Sequence, residues 1–130
     1  MNRHTIVVVT YNRLSLLQEC VDAILNQTRP YDRVVIVDNA STDGTGAYLD
    51  SLRDNPLFVI LSEENNLGGA GGFAEGIRAA YQQKPEWITI IDDDSILEPD
   101  FLEQIQRGID EQPETCVCMA GIPLTDGILI

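Results

Sequence analysis

The sequence predicts an α/β domain of three layers, with helices on both faces of a mostly parallel, doubly wound sheet. Short β-branched runs such as "TIVVVT" and "RVVIV" alternate with longer segments whose apolar residues recur at helical spacing. Those short runs are continuously apolar rather than alternating, as strands are when helices cover both faces. Unusual polar residues gather where the runs end, and that is the edge at which open α/β sheets hold their ligands.

Taken in order, His4 to Thr10 (HTIVVVT) forms the first strand. Leu14, Leu17, Val21, Ile24 and Leu25 then mark a helix, with Asn12 or Ser15 as its expected N-cap. Arg33 to Val37 is the second strand and ends at Asp38. A polar turn from Asn39 to Gly46 leads to a helix carrying Tyr48, Leu49 and Leu52, and Leu57 to Leu61 is the third strand. After Glu63-Glu64-Asn65-Asn66 comes a glycine-rich turn, then a helix with Phe73, Ile77, Ala80 and Tyr81 on one face. Trp87 to Ile91 is the fourth strand. Pro99 is expected at the first helical position of the next helix, whose stripe is Phe101, Leu102, Ile105 and Ile109. Thr115 to Ile122 is expected as a fifth strand.

The 130 residues suffice for a single domain with a real core. Acidic residues outnumber basic ones 21 to 8, the formal charge is −13, and Lys84 is the only lysine. Such a surface repels phosphate backbones, which argues against nucleic acid as a partner. An anionic ligand would need backbone N–H donors or a bridging divalent cation. The apolar runs are far shorter than the ~20 residues of a membrane span. The opening Met-Asn-Arg-His-Thr shows no cleavage site, so no signal peptide is expected. These features point to the cytoplasm of a bacterial-type cell, and they leave open a peripheral contact with the inner face of the membrane. Cys116-Val117-Cys118 lacks a second ligand pair, because His4 is the only histidine, so these cysteines and Cys20 read as buried thiols. His4 itself is expected on the surface, away from the ligand edge.

The fourth strand runs into Asp92-Asp93-Asp94. Side chains alternate along a strand, which places Asp92 and Asp94 on one side and Asp93 on the other. Carboxylates this close repel one another unless a cation or donors lie between them. A hard ion such as Mg²⁺ or Mn²⁺ is commonly held by one or two carboxylates plus ligand phosphates; a solvated acidic turn ahead of a helix is the plainer alternative. An EF-hand loop starting at Asp92 fails, because Ile96 and Leu97 would fall where a ligand and a glycine are required. A phosphatase-type Asp-x-Asp motif would belong at the first strand with a lysine further on, and no lysine follows here.

Gly69-Ala70-Gly71-Gly72-Phe73-Ala74 formally satisfies a dinucleotide fingerprint, but it opens the third βα unit behind a polar loop rather than the first. Its glycines serve either close approach to a ligand or tight packing of the helix on the sheet. Asp38-Asn39 could face a nucleobase edge or cap the following turn, and Tyr11 could stack on a base.

Together "VVVTYNR", "RVVIVDNASTDGT", "ENNLGGAGGFAEGI" and "WITIIDDD" resemble, in order and spacing, the motifs of the family 2 inverting glycosyltransferases of GT-A fold. "NLGGAGGF" is most similar to the galactofuranosyl- and rhamnosyltransferase branch. The resemblance implies that Thr10, Tyr11 and Arg13 line a nucleotide site and that Asp38 hydrogen-bonds a uracil or thymine. It implies that Asn66, Gly68, Gly69 and Gly72 wrap the nucleotide, with Asp92 and Asp93 beside it. The divalent cation, Mn²⁺ or Mg²⁺, would be held by Asp92 and Asp94. The donor would be a UDP- or dTDP-sugar and the acceptor a glycan or lipid-linked molecule, as in cell-wall or polysaccharide synthesis. One departure is the absence of the Ala-Arg-Asn that many members carry in the glycine segment; Gly72-Phe73-Ala74 stands there. The apolar ending at Ile130 is read as a cut, leaving the donor-binding half with the general base and acceptor region beyond it. A non-catalytic nucleotide- or metal-binding module, and more remotely a dinucleotide-dependent oxidoreductase, are the alternatives.

Overall fold

A computed structural model describes residues 2–114, 122–124 and 127–129. Four parallel strands make the sheet: β1 (His4–Thr10), β2 (Arg33–Asp38), β3 (Phe58–Ser62) and β4 (Trp87–Asp92), in the order β3-β2-β1-β4. Helices α1 (Leu14–Leu25), α2 (Thr45–Asp50), α3 (Gly68–Gln82) and α4 (Phe101–Glu111) follow the strands in turn. Short β5 (Ile122–Leu124) and β6 (Gly127–Leu129) pair antiparallel with each other. Of the expected fifth strand, residues 115–121 lie outside the described residues, as do Cys116 and Cys118.

The sheet grows outward from β1 through β2 to β3, then the chain returns across it to place β4 on the other side of β1. That reversal moves α3 to the opposite face from α1, α2 and α4. Alternate residues of one strand accordingly serve two cores. Ile6 and Val8 pack with Leu17, Val21, Leu49 and Leu102. Val7 packs with Val35, Val37 and Ala80, with Phe73 and Ile88 alongside. Burying each such side chain is worth about 1.5–3 kcal/mol, which is why the continuous apolar runs become central strands.

The glycines of α3 have two separate roles. Gly72 and Gly76 are buried one turn apart against the sheet; a Cβ on Gly72 would lie 2.7 Å from Val9, and one on Gly76 would run into Val7 and Val37. Gly68, with φ of +74°, instead belongs to the exposed turn that opens the helix.

Three local expectations are corrected. Neither Asn12 nor Ser15 caps α1: Arg13 holds the N-cap position without a side-chain cap bond. Asn12, at φ 50°, accepts the N–H groups of Thr42 and Asp43, and Asp43 in turn accepts the Leu14 N–H at 3.2 Å. The cap is therefore supplied by the loop after β2. Pro99 precedes the helix rather than starting it, since α4 begins at Phe101 after Asp100, and the Pro99 carbonyl accepts the Thr28 N–H.

His4 is buried, 1% exposed, not on the surface. Gln106 of α4 lies 2.7 Å from its Nε2, Tyr31 meets the ring edge-on, and Nδ1 has no partner. Burial holds its pKa below the ordinary value, opposed by the Gln106 hydrogen bond; Arg29 also lowers it, while Asp32 and Glu86 raise it. The unfolded chain takes up a proton near pH ~6.5, where the folded chain resists it. Stability is thus expected to fall as the pH drops through that value. Urea midpoints at pH 7.5 and 5.5 should drop less for His4→Gln than for the wild type, and equal drops would remove His4 as the cause.

Candidate functional site

The switch between β1 and β4 opens a cleft of about 430 Å³ at the carboxyl ends of the strands. Its floor is the end of β1, Val9 and Thr10, continuing into Tyr11 and Arg13. One wall is the glycine turn, with Asn66, Gly68, Gly69 and Phe73; the other is Asp92, Asp93 and Asp94. Parallel pairing sets the strand ends level, with Val9 opposite Asp92 and Thr10 opposite Asp38.

The aspartates divide two and one as expected, but in a turn rather than along the strand: β4 ends at Asp92, and the Ser95 N–H closes back on the Asp92 carbonyl at 3.1 Å. Asp93 is 4% exposed, accepts the Thr10 hydroxyl at 2.9 Å and accepts Arg13 Nη1 at 3.2 Å. Asp92 and Asp94 are exposed, and the Arg13 guanidinium reaches Asp94 at 3.9 Å. Arg13 is itself half-exposed, so its pairing with Asp94 is a weak, solvent-screened contact. The carboxylate already supplied with donors is the buried one, and two exposed carboxylates remain at the rim.

Behind the rim lies Cys20, fully buried, with Sγ 3.9 Å from the Asp92 carbonyl oxygen. Burial, reinforced by the charges of Asp93 and Asp94, pushes its thiol up to about 12. It stays protonated and packs as an apolar group rather than acting as a nucleophile or ligand.

The pair at the end of β2 separates. Asp38 is buried, accepts the Ser41 N–H at 3.0 Å and is not part of the cleft lining; its carboxylate stabilises the turn that follows. The next residue, Asn39, lines the cleft and bonds to the glycine turn. Gly72 lies beneath the lining, against Val9 and Asn39. Thr10, Tyr11, Arg13, Asn66, Gly68, Gly69, Asp92, Asp93 and Asp94 all meet at the cleft. Asn39, read with Asp38 as a possible base contact, belongs there as well, as do Val9 and Phe73, which were not singled out for the site. The position of Asn39 at a strand's carboxyl end was the available signal, and its partner 29 residues away was not.

The residues present fit a hard divalent ion only in part. Asp92 and Asp94 offer exposed carboxylates, Asp94 with Arg13 3.9 Å away, but no group of three or more His, Cys, Asp or Glu is arranged to hold a metal among the described residues. A cation here would need further oxygen ligands from the bound molecule, the usual situation for Mg²⁺ at phosphates.

An open parallel sheet with an acidic rim facing a glycine turn at its switch point is an α/β ligand-binding domain of nucleotide-sugar transferase type. The chain belongs to glycosyl transferase family 2, whose model matches residues 5–125. It is 36% identical over 110 residues to "Glycosyltransferase GlyG" of Streptococcus pneumoniae serotype 4, covering 83% of this chain and 35% of the relative. It is 38% identical over 89 residues to "Galactofuranosyltransferase GlfT1" of Mycolicibacterium smegmatis, covering 68% and 28%.

Among solved structures it resembles S. aureus TarS 1-349 in complex with UDP, at TM-score 0.74 and 25% identity, covering 95% of this chain and 38% of that one. It also resembles the mannosyltransferase PcManGT from Pyrobaculum calidifontis in complex with GDP-Man and Mn²⁺. There the TM-score is 0.69 and the identity 28%, covering 92% of this chain and 34% of that one. The chain spans about a third of the length of these relatives. The family and the GT-A type of fold are thus those expected from the motifs.

Proposed function

We propose that this chain binds the donor of a glycosyltransferase, a UDP- or dTDP-sugar whose diphosphate is held with a divalent cation, Mn²⁺ or Mg²⁺. The observation that carries this reading is the pair of exposed carboxylates, Asp92 and Asp94, facing a glycine turn across the cleft. Two carboxylates with no third protein ligand suit an ion that also takes phosphate oxygens. The ion would neutralise charge on the diphosphate as it leaves. Around it, Tyr11, 45% exposed, presents a ring on which a base can stack. Gly68 and Gly69 let the donor approach backbone closely. TarS crystallised with UDP and PcManGT with GDP-Man and Mn²⁺ lend support by similarity.

Transfer with inversion to a glycan or lipid-linked acceptor would require a general base to deprotonate the acceptor hydroxyl. We assign that base to no residue of this chain. No helix of the described residues is long and apolar enough to cross a membrane.

Titration calorimetry with UDP tests the reading. Binding is expected with Mn²⁺ present and to weaken at least ~10-fold when the metal is chelated or when Asp94 is replaced by alanine, the loss of one charged ligand contact. Metal-independent binding of equal strength in the folded Asp94→Ala variant would refute the metal-bridged donor.

A further inference from the structure

Of the rim that faces Asp92 and Asp94, positions 64–70 are exposed apart from their anchoring bonds, and Gly68 adopts a positive φ. Asn66 makes only a local bond, accepting the Gly68 N–H at 2.8 Å. Both hydrogen bonds that tie this segment to the sheet, among the described residues, are made by Asn39. Its Oδ1 accepts the Leu67 N–H at 3.3 Å and its Nδ2 donates to the Gly68 carbonyl at 3.0 Å. Asn39 is itself fixed, being 3% exposed, with its own N–H bonded to the Thr10 carbonyl at 3.0 Å. Gly72 leaves room for the carboxamide, since a Cβ there would come within 3.0 Å of Nδ2.

We propose that Asn39 is a positioning residue that locks the glycine turn to the ends of β1 and β2, so setting the distance between that turn and the acidic rim. The proposal rests on the donor-site reading above. The site demands one acceptor and one donor at a single short side chain, aimed at the N–H of Leu67 and the carbonyl of the next residue, Gly68. Asparagine supplies both. Alanine supplies neither. An ionised aspartate accepts from Leu67 but turns a second lone pair toward the Gly68 carbonyl, and only its protonated form can donate there.

The test compares the wild-type chain with Asn39→Ala and Asn39→Asp, measuring UDP affinity with Mn²⁺ from pH 7.5 to 5 and amide hydrogen exchange. Asn39→Ala is expected to weaken UDP about 10-fold and to speed exchange of the Leu67 amide. Asn39→Asp should be similarly weak at pH 7.5 and recover toward the wild type, measured at the same pH, as its carboxyl protonates. Burial at this 3%-exposed position shifts that protonation to higher pH than for a free aspartate. A purely structural role would lower stability without a pH-dependent recovery of affinity. Wild-type affinity in Asn39→Asp at pH 7.5, or unchanged Leu67 exchange in Asn39→Ala, overturns the proposal. If the wild type binds no UDP, the donor reading fails and the positioning role with it, while exchange at Leu67 still decides whether Asn39 holds the turn.

Discussion

Gly76→Ala is expected to destabilise the fold by about 1–3 kcal/mol, the usual cost of overpacking a tight core. A methyl group at this position meets Val7 and Val37, side chains of β1 and β2. Those strands are the two inner strands of the sheet and both valines are fully buried, so neither can withdraw. The helix must lift instead, opening a gap over Val7, Val35 and Val37. Alanine also improves helix propensity by up to ~1 kcal/mol, which offsets part of the loss. Gly108→Ala separates the two effects, because nothing lies within 4 Å of a Cβ there and Gly108 is inside α4. That variant should gain ~0.5–1 kcal/mol from the same propensity term. Urea midpoints should therefore move in opposite directions, and a midpoint that rises in both variants would mean that α3 does not press on the sheet at Gly76.

Asp93→Ala should cost about 1–3 kcal/mol, the range for stranding a buried hydrogen-bonding group. Removing the carboxylate leaves the hydroxyl of buried Thr10 without its acceptor and frees the Arg13 guanidinium. Asp93→Asn should cost less. Its amide oxygen can still accept from Thr10, and what it forfeits is mainly the pairing with half-exposed Arg13, worth below ~1 kcal/mol. Thermal melts of the two variants decide the matter: the alanine form should melt several degrees lower than the asparagine form. Equal melting temperatures would show that the Thr10 contact contributes nothing. The same pair bears on the rim, because Arg13 is the cation that lies between Asp93 and Asp94.

The contrast among the aspartates shows how far sequence reasoning reaches. That three carboxylates follow an apolar strand is written in the sequence, and a period-two reading sets the middle one apart. But β4 ends at Asp92, and it is the following turn that buries Asp93. What Asp93 meets there is not written locally. Thr10 and Arg13 stand 83 and 80 residues from Asp93, and they meet it because β1 and β4 are neighbours in the sheet. The glycines divide similarly. Their number marked a turn or a close approach, but only the placement of α3 over β1 and β2 separates Gly72 and Gly76, spent on packing, from Gly68 and Gly69, which line the cleft.

Where local signals misled, a distant partner had taken over the residue concerned. Asn12 looked like a helix cap and instead holds the loop at Thr42 and Asp43. His4 looked like a surface residue before a strand, and α4 closes over it through Gln106, 102 residues away. At Asp38 the turn-capping alternative read from the sequence holds, since its carboxylate accepts the nearby Ser41 N–H, while Asn39 lines the cleft.

By itself, then, the sequence determined the alternation of strands and helices, the burial of β1 and β2 and the edge at which the polar residues collect. These depend on backbone period and on apolar surface leaving water, both of which are written locally. It did not determine the burial of β4 or of the α3 face, where Ile90, Ile77 and Tyr81 are exposed. Tertiary structure alone decided which polar group each strand end meets, as Asn39 with Gly68 and Asp93 with Thr10. A hydrogen bond needs a partner within about 3 Å, and which residues come that close is fixed by the strand order β3-β2-β1-β4 rather than by any neighbour along the chain.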